Sequence, residues 1–221
     1  MLKKLLSYFI PVNVLKKKSA ISQSLEITWN NGELVMDSAN TNYSYGSLQR
    51  ILRKGLKEIG FEKVARMKEI LVLGVAGGSV VKILAYEVKT NAKIIGVEID
   101  PEVVTLADLY FQLNQIPNFK IITADAFEYL LKSQKTFDLI IIDIFQDTMM
   151  PEFLFEDYFL DCIVKALDRG GYVLFNTMIL NTAQERRNLD FRSRAAKRGL
   201  SIKTIPRVER HNEVMILHKP L

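Results

Sequence analysis

Three acidic residues stand where apolar runs stop. Glu98 closes Lys93-Ile-Ile-Gly-Val-Glu98, Asp125 follows Phe119-Lys-Ile-Ile-Thr123, and Asp143 closes Phe137-Asp-Leu-Ile-Ile-Ile-Asp143. A carboxylate at the end of a buried strand is costly unless it is hydrogen-bonded or faces a polar ligand. In open parallel sheets the carboxyl ends of the strands line the ligand crevice. Glu98 is therefore expected to accept both hydroxyls of a ribose. Asp125 is expected to accept an adenine amino proton, with the Ala126 N–H meeting a ring nitrogen. Asp143 points toward the reacting end, where it could hold a cationic amine or deprotonate a nucleophile. Two of these acids also have local uses. Asp125 and Glu128 form an Asp-x-x-Glu capping pattern, and Asp100 before Pro101 reads as a helix cap. Asn176 ends a fifth apolar run and could reach the same crevice.

A turn of low bulk precedes these acids. In Glu69-Ile-Leu-Val-Leu-Gly-Val-Ala-Gly-Gly-Ser79 an apolar run breaks at Gly74, Gly77 and Gly78. Glu98 follows about twenty positions later, the spacing of a nucleotide-binding βαβ unit. A dinucleotide fingerprint wants glycine at its first, third and sixth positions, and this turn has Ala76 and Ser79 at the last two. It also lacks the lysine of a phosphate-binding loop. An adenosine-containing cofactor held by Gly74, Ala76, Gly77 and Gly78 is the expectation.

The elements that must position these groups alternate. Strands are predicted at 69–74, 93–98, 119–123, 137–143 and 171–176. Helices are predicted at 78–88, 101–113, 126–133, 155–167 and 183–198. The strand runs are continuously apolar, as a sheet covered on both faces requires. Residues 201–205 and 214–217 read as a terminal antiparallel hairpin. At the other end, Leu25–Trp29 and Glu33–Asp37 flank Asn30-Asn31-Gly32, a hairpin signal. Ser47 to Ile59 carries Leu48, Ile51, Leu52, Leu56 and Ile59 on one helical face, and Gly60 stops it. The expected architecture is an α/β, class I methyltransferase-like (Rossmann-like) seven-stranded sheet over 41–221. A helix and β-hairpin appendage over 1–40 precedes it.

Composition narrows the partners. The chain has 221 residues and is 48% hydrophobic, enough for a full core. No stretch is long enough to span a bilayer, and Met1–Ile10 lacks a cleavage site, so a short helix packed on its own domain is expected. One cysteine, Cys162, excludes an intrachain disulfide, reads as a small core residue and suits a cytoplasmic location. One cysteine and two histidines, both late in the chain, make no zinc-type cluster, so no metal is expected. The net charge of +5 arises partly from Arg186, Arg187, Arg192, Arg194, Lys197 and Arg198. No aromatic residues interleave with them as a base-stacking platform would need, so a solvated helix face is expected rather than a nucleic-acid partner.

Taken together these residues resemble the spermidine synthase family, the polyamine aminopropyltransferases built on the methyltransferase fold. The similarity runs from about Ser22 to Met178. It is carried by Leu34-Val-Met-Asp37, Val97-Glu-Ile-Asp-Pro-Glu-Val-Val104, Ala124-Asp-Ala-Phe127, the strand ending at Asp143, and Pro151-Glu-Phe-Leu-Phe-Glu-Asp-Tyr-Phe159. The resemblance implies that Glu98 holds ribose, Asp125 holds adenine and Asp143 helps deprotonate an attacking amine. It also implies a homodimer. The amine half departs from the family pattern. Ala76 stands where the resemblance places an aspartate for the aminopropyl ammonium, Gln146 replaces an acid with Asp147 displaced by one, and Tyr45-Gly46-Ser47 stands for Tyr-His-Glu. The leading expectation is thus a transferase using S-adenosylmethionine on a small-molecule acceptor, with methyl as the transferred group. Tyr45, Gln146 and Asp147 would contact that acceptor. The alternatives are aminopropyl transfer from decarboxylated S-adenosylmethionine and a nucleoside-binding module without turnover.

Overall fold

The computed structural model describes residues 2–21, 24–38, 47–145 and 149–221. The chain opens with α1 (Leu2–Leu6), then β1 (Val12–Lys17), β2 (Leu25–Asn30) and β3 (Glu33–Ser38). These three strands form an antiparallel sheet in the order β1-β2-β3. The Asn31-Gly32 turn between β2 and β3 has φ of 49° and 80°, the pair of positive values that such a two-residue hairpin needs. β1 extends the expected hairpin by a third strand. α1 is tied down differently from the expectation, since none of its residues is buried. Its anchor is polar: the Ser7 hydroxyl accepts from Gly32 N–H and the Ser7 carbonyl from Asn31 N–H, both at 2.9 Å.

α2 (Ser47–Ile59) and α3 (Phe61–Ala65) lead into the larger sheet. Ile51, Leu52, Leu56 and Ile59 of α2 are all buried, as the helical spacing requires. Gly60 ends the helix at φ 104° and α3 starts at once. Next come β4 (Glu69–Leu73), α4 (Ser79–Lys82), a π-helical segment (Ile83–Val88), β5 (Lys93–Glu98) and α5 (Pro101–Phe111). β6 (Phe119–Thr123), α6 (Ala126–Lys132), β7 (Phe137–Ile142) and α7 (Asp157–Ala166) follow. The chain finishes with β8 (Leu167–Met178), α8 (Thr182–Lys197), β9 (Ser201–Val208) and β10 (Asn212–His218). The seven-stranded sheet runs β6-β5-β4-β7-β8-β10-β9, parallel from β6 to β8, with β10 antiparallel to both β8 and β9.

Alternate residues of the central strands divide between two cores. Ile70, Val72, Leu139 and Ile141 face one, together with α2 and with Leu25, Ile27 and Met36 of the small sheet. Leu71, Leu73, Ile140 and Ile142 face the other, against α6, α7 and α8. Cys162 is partly buried against that second core. Two arginines at the C-terminal end of α8 pair with α7: Arg194 with Asp157 at 3.2 Å, and Arg198 with Asp157 at 2.8 Å and Asp161 at 2.5 Å. No helix among the described residues is long and apolar enough to cross a membrane.

Leu56 is fully buried where α2 meets the sheet. Leu56→Ala is expected to lower stability by about 2–5 kcal/mol, read from urea unfolding. A loss below about 0.5 kcal/mol, the usual range for surface changes, would show that this face is not packed as described.

Candidate functional site

The strand registers bring the sequence-predicted acids to one edge. Leu73 lies opposite Val97 and Ile142, and Glu98 opposite Thr123. The ladder continues past the strand ends through Gly74 N–H to Val97 O, Asp143 N–H to Leu73 O, and Ala124 N–H to Glu98 O, at 2.9, 2.9 and 3.0 Å. Gly74, Glu98, Asp125 and Asp143 therefore share the carboxyl end of the parallel strands. That edge is where open α/β sheets bind ligands.

The turn itself is left-handed at three positions: Gly74 (φ 84°), Ala76 (φ 45°) and Gly78 (φ 75°). A Cβ on Gly74 would lie 2.2 Å from the Asp143 carbonyl oxygen, so only glycine allows the turn to pass over the end of β7. Ala76 adopts the conformation without glycine's freedom, which costs on the order of 1–2 kcal/mol. Glu98 compensates. Its Oε2 accepts from Val75 and Ala76 N–H, both at 3.1 Å, and its Oε1 accepts from Ile99 at 2.9 Å and Asp100 at 3.2 Å. Burial pushes the Glu98 carboxyl above its usual range, and the four N–H donors oppose that. A carboxylate has about four lone-pair sites, so two amides of the turn and two that follow β5 engage all of them. A ribose at this edge would share Glu98 with the backbone it braces.

Asp125 caps α6 through Oδ1, which accepts from Glu128 N–H at 3.0 Å. The reciprocal half of the capping box is absent, because Glu128 pairs with Lys132 at 2.7 Å instead. Among the described residues nothing donates to the second Asp125 oxygen. Ala126 opens α6 with its methyl at the edge of the second core. Asp100 is the N-cap of α5, accepting from Glu102 N–H at 2.9 Å, and it also accepts from the Ser19 hydroxyl.

Asp143 is held by a chain of amides. Its Oδ1 accepts from Asn176 Nδ2 at 2.8 Å, and Asn176 Oδ1 accepts from Asn212 Nδ2 at 2.9 Å. Asn176 is fully buried and Asn212 nearly so. Burial raises the Asp143 carboxyl to about 6, against the lowering effect of the Asn176 bond. Asn212 heads the last strand, opposite Met178. Its part is a pairing across distant strands, which no sequence motif signals. Tyr45, Gln146 and Asp147 lie outside the described residues.

The residues present fit an adenosyl group: a turn with little side-chain bulk, Glu98 beside it, an Asp125 oxygen with no donor among the described residues, and Asp143 at the same edge. The fold is that of the Rossmann-like class I methyltransferases. It superposes on the crystal structure of spermidine synthase from Thermotoga maritima with a TM-score of 0.70 at 18% identity, covering 94% of this chain and 73% of that one. It superposes on human methyltransferase-like protein 13, solved with SAH, with a TM-score of 0.65 at 19% identity, covering 79% and 83%. In sequence, the spermine/spermidine synthase domain matches residues 50–208, and the chain belongs to that family. A curated relative, the polyamine aminopropyltransferase of Vibrio vulnificus, is 33% identical over 130 residues, 57% of this chain and 43% of the relative. The chain spans less than half the length of the curated relatives it matches.

Two outcomes test this geometry. Gly74→Ala is expected to lose about 2–5 kcal/mol, the sum of left-handed strain and overpacking. The control Gly199→Ala, at φ 81° with nothing within 4 Å of its added Cβ, is expected to lose only the strain, about 1 kcal/mol. Equal losses in urea unfolding would remove the argument for close approach. The second outcome concerns pH. Native Asp143 holds its proton up to about 6 against an ordinary 3.8, so the native state binds more protons than the unfolded chain between those values. Its contribution to stability is full below 3.8 and is lost as pH rises through about 6. Asp143→Asn lacks that loss, so between pH 3.8 and about pH 7 its stability relative to the native protein should rise by on the order of 3 kcal/mol. A difference that does not change with pH would show Asp143 to be unperturbed.

Proposed function

We propose that the chain is a transferase that moves an alkyl group from an adenosyl sulfonium to an amine nitrogen. The observation that carries this reading is the placement of Asp143, a carboxylate oriented by Asn176 and Asn212 where the Glu98-braced turn crosses the end of β7. The bound cofactor supplies an alkyl carbon already activated by positive sulfur. The remaining work is done by the chain. Glu98 and Asp125 hold the nucleoside, and the turn brings it close to the backbone. Asp143, oriented by Asn176 and Asn212, holds the acceptor amine and takes its proton. The amine nitrogen forms its bond to carbon as the carbon–sulfur bond breaks, leaving a neutral thioether. The proton lost from nitrogen goes to Asp143. Positioning of the two reactants accounts for much of the rate.

Family membership and the Vibrio vulnificus relative favour aminopropyl as the transferred group, with a diamine acceptor. Methyl is the second reading, favoured by a turn that carries no carboxylate from Gly74 to Ser79. Small-molecule acceptors suit both. The test is incubation with decarboxylated S-adenosylmethionine plus putrescine, and separately with S-adenosylmethionine plus an amine panel, with chromatography of the thioether. Expected are methylthioadenosine with spermidine from the first, or S-adenosylhomocysteine from the second. Turnover should fall below about pH 6, where Asp143 protonates, and Asp143→Asn should reduce it about 10²–10⁴-fold. Tight nucleoside binding with neither thioether formed would leave only a binding module.

A further inference from the structure

α1 sits on the small sheet with its polar face inward. Helical hydrogen bonds continue past Leu6: Ser7 N–H donates to Lys3 O, and Phe9 and Ile10 N–H donate to Leu6 O. Leu2, Leu5, Leu6 and Phe9 therefore share one face, at helical spacing. An apolar stripe of that kind ordinarily turns to the core. Here it turns to solvent: Leu2 is 72% exposed, Leu5 58% and Phe9 87%. The opposite face is the one that meets the protein. Ser7 is buried there, its hydroxyl donating to Lys4 O at 2.7 Å and accepting from Gly32 N–H. The Lys4 ammonium lies 5.5 Å from the centroid of the Trp29 ring. Ile10, the residue after the stripe, is exposed as well.

The charges of this segment have one sign. From Leu2 to Ile21 the chain carries Lys3, Lys4, Lys16, Lys17 and Lys18 and no acidic residue. Lys16 and Lys17 pair with Glu26 and Glu102, at 2.6 and 2.5 Å. Lys3, Lys4 and Lys18 join no ion pair among the described residues. Glu33, next to the Asn31-Gly32 turn that anchors Ser7, lines a cavity of about 240 Å³ beside the glycine-rich turn, with Gly77, Ser79 and Lys82. A second copy packed stripe to stripe would bring two sets of these lysines together, which opposes a twofold contact. We propose that Leu2, Leu5, Leu6 and Phe9 insert into the surface of a bilayer containing anionic phospholipid, with the lysines at its headgroups. Apolar insertion and the attraction of basic residues to anionic headgroups add on such a surface. The inference concerns where the chain docks and does not depend on which group is transferred.

Co-sedimentation of the full chain with lipid vesicles tests this. The probes are vesicles of phosphatidylcholine alone and of phosphatidylcholine mixed with phosphatidylglycerol. The native protein should bind the mixed vesicles at least about tenfold more tightly than the neutral ones, and added salt should weaken that binding. Lys3→Gln should weaken it about fivefold. The double change Leu5→Ser with Phe9→Ser should weaken it about tenfold or more. Leu189→Ser, at an exposed leucine of α8, should leave it unchanged. All of these side chains are exposed, so each variant should keep the native Tm within about 2 °C. Equal binding to both vesicle types, no binding to the mixed vesicles, or a loss in Leu189→Ser as large as in the stripe variant would overturn the proposal. A dimer in light scattering that the stripe variant dissociates, with no vesicle binding by the native chain, would assign the stripe to a second copy instead.

Discussion

The site depends on one half-buried carboxylate, Glu98, tying down a backbone turn. The chain leaves β4 through left-handed positions at Gly74, Ala76 and Gly78. A turn so shaped leaves amide groups without partners in a helix or sheet, and a buried unsatisfied donor costs about 1–3 kcal/mol. Glu98 takes two of them and two more from Ile99 and Asp100. Burial raises its pKa, and the four donors oppose that rise. The same bonds fix where Gly74 crosses the Asp143 carbonyl and where Gly77 and Ser79 enter the cavity wall. Nucleoside edge, base and cavity are therefore not independent features.

Two opposite charges flank that turn, and they are treated differently. Asp143 is oriented by neutral amides, Asn176 and then Asn212. A lysine or arginine in their place would pull the Asp143 pKa down, and a weaker base would be left. Amides fix direction without neutralising. Lys82 is set against an aromatic face, which stabilises a cation by only about 0.5–2 kcal/mol. Neither group is arranged as a structural ion pair would be, in contrast to the arginines of α8.

Much of this was legible in the sequence, for a physical reason. The strands at 93–98 and 119–123 fall where their apolar runs place them, because a sheet buried on both faces leaves no room for polar interruptions. β1 was not legible. It is an edge strand, and only Val12, Val14 and Leu15 of its six residues are even partly buried. The π-helical segment keeps an ordinary helical composition, so its changed hydrogen bonding leaves no trace in residue types. Asp100 showed its cap through the proline that follows. Glu98 stood out as a carboxylate on a buried strand, but its partners are backbone amides and have no side-chain signature.

The donors of the two proposed reactions differ at one end. Decarboxylated S-adenosylmethionine carries two positive charges, one on sulfur and one on the terminal amine, and the intact molecule adds a carboxylate beside that amine. A dication needs carboxylates to replace its hydration. The turn from Gly74 to Ser79 carries none. Under the aminopropyl reading that demand therefore falls on acids outside the turn, and Asp143 is one that the sheet edge offers. The Asn176 and Asn212 amides orient it without neutralising it, so its charge stays available to a cation.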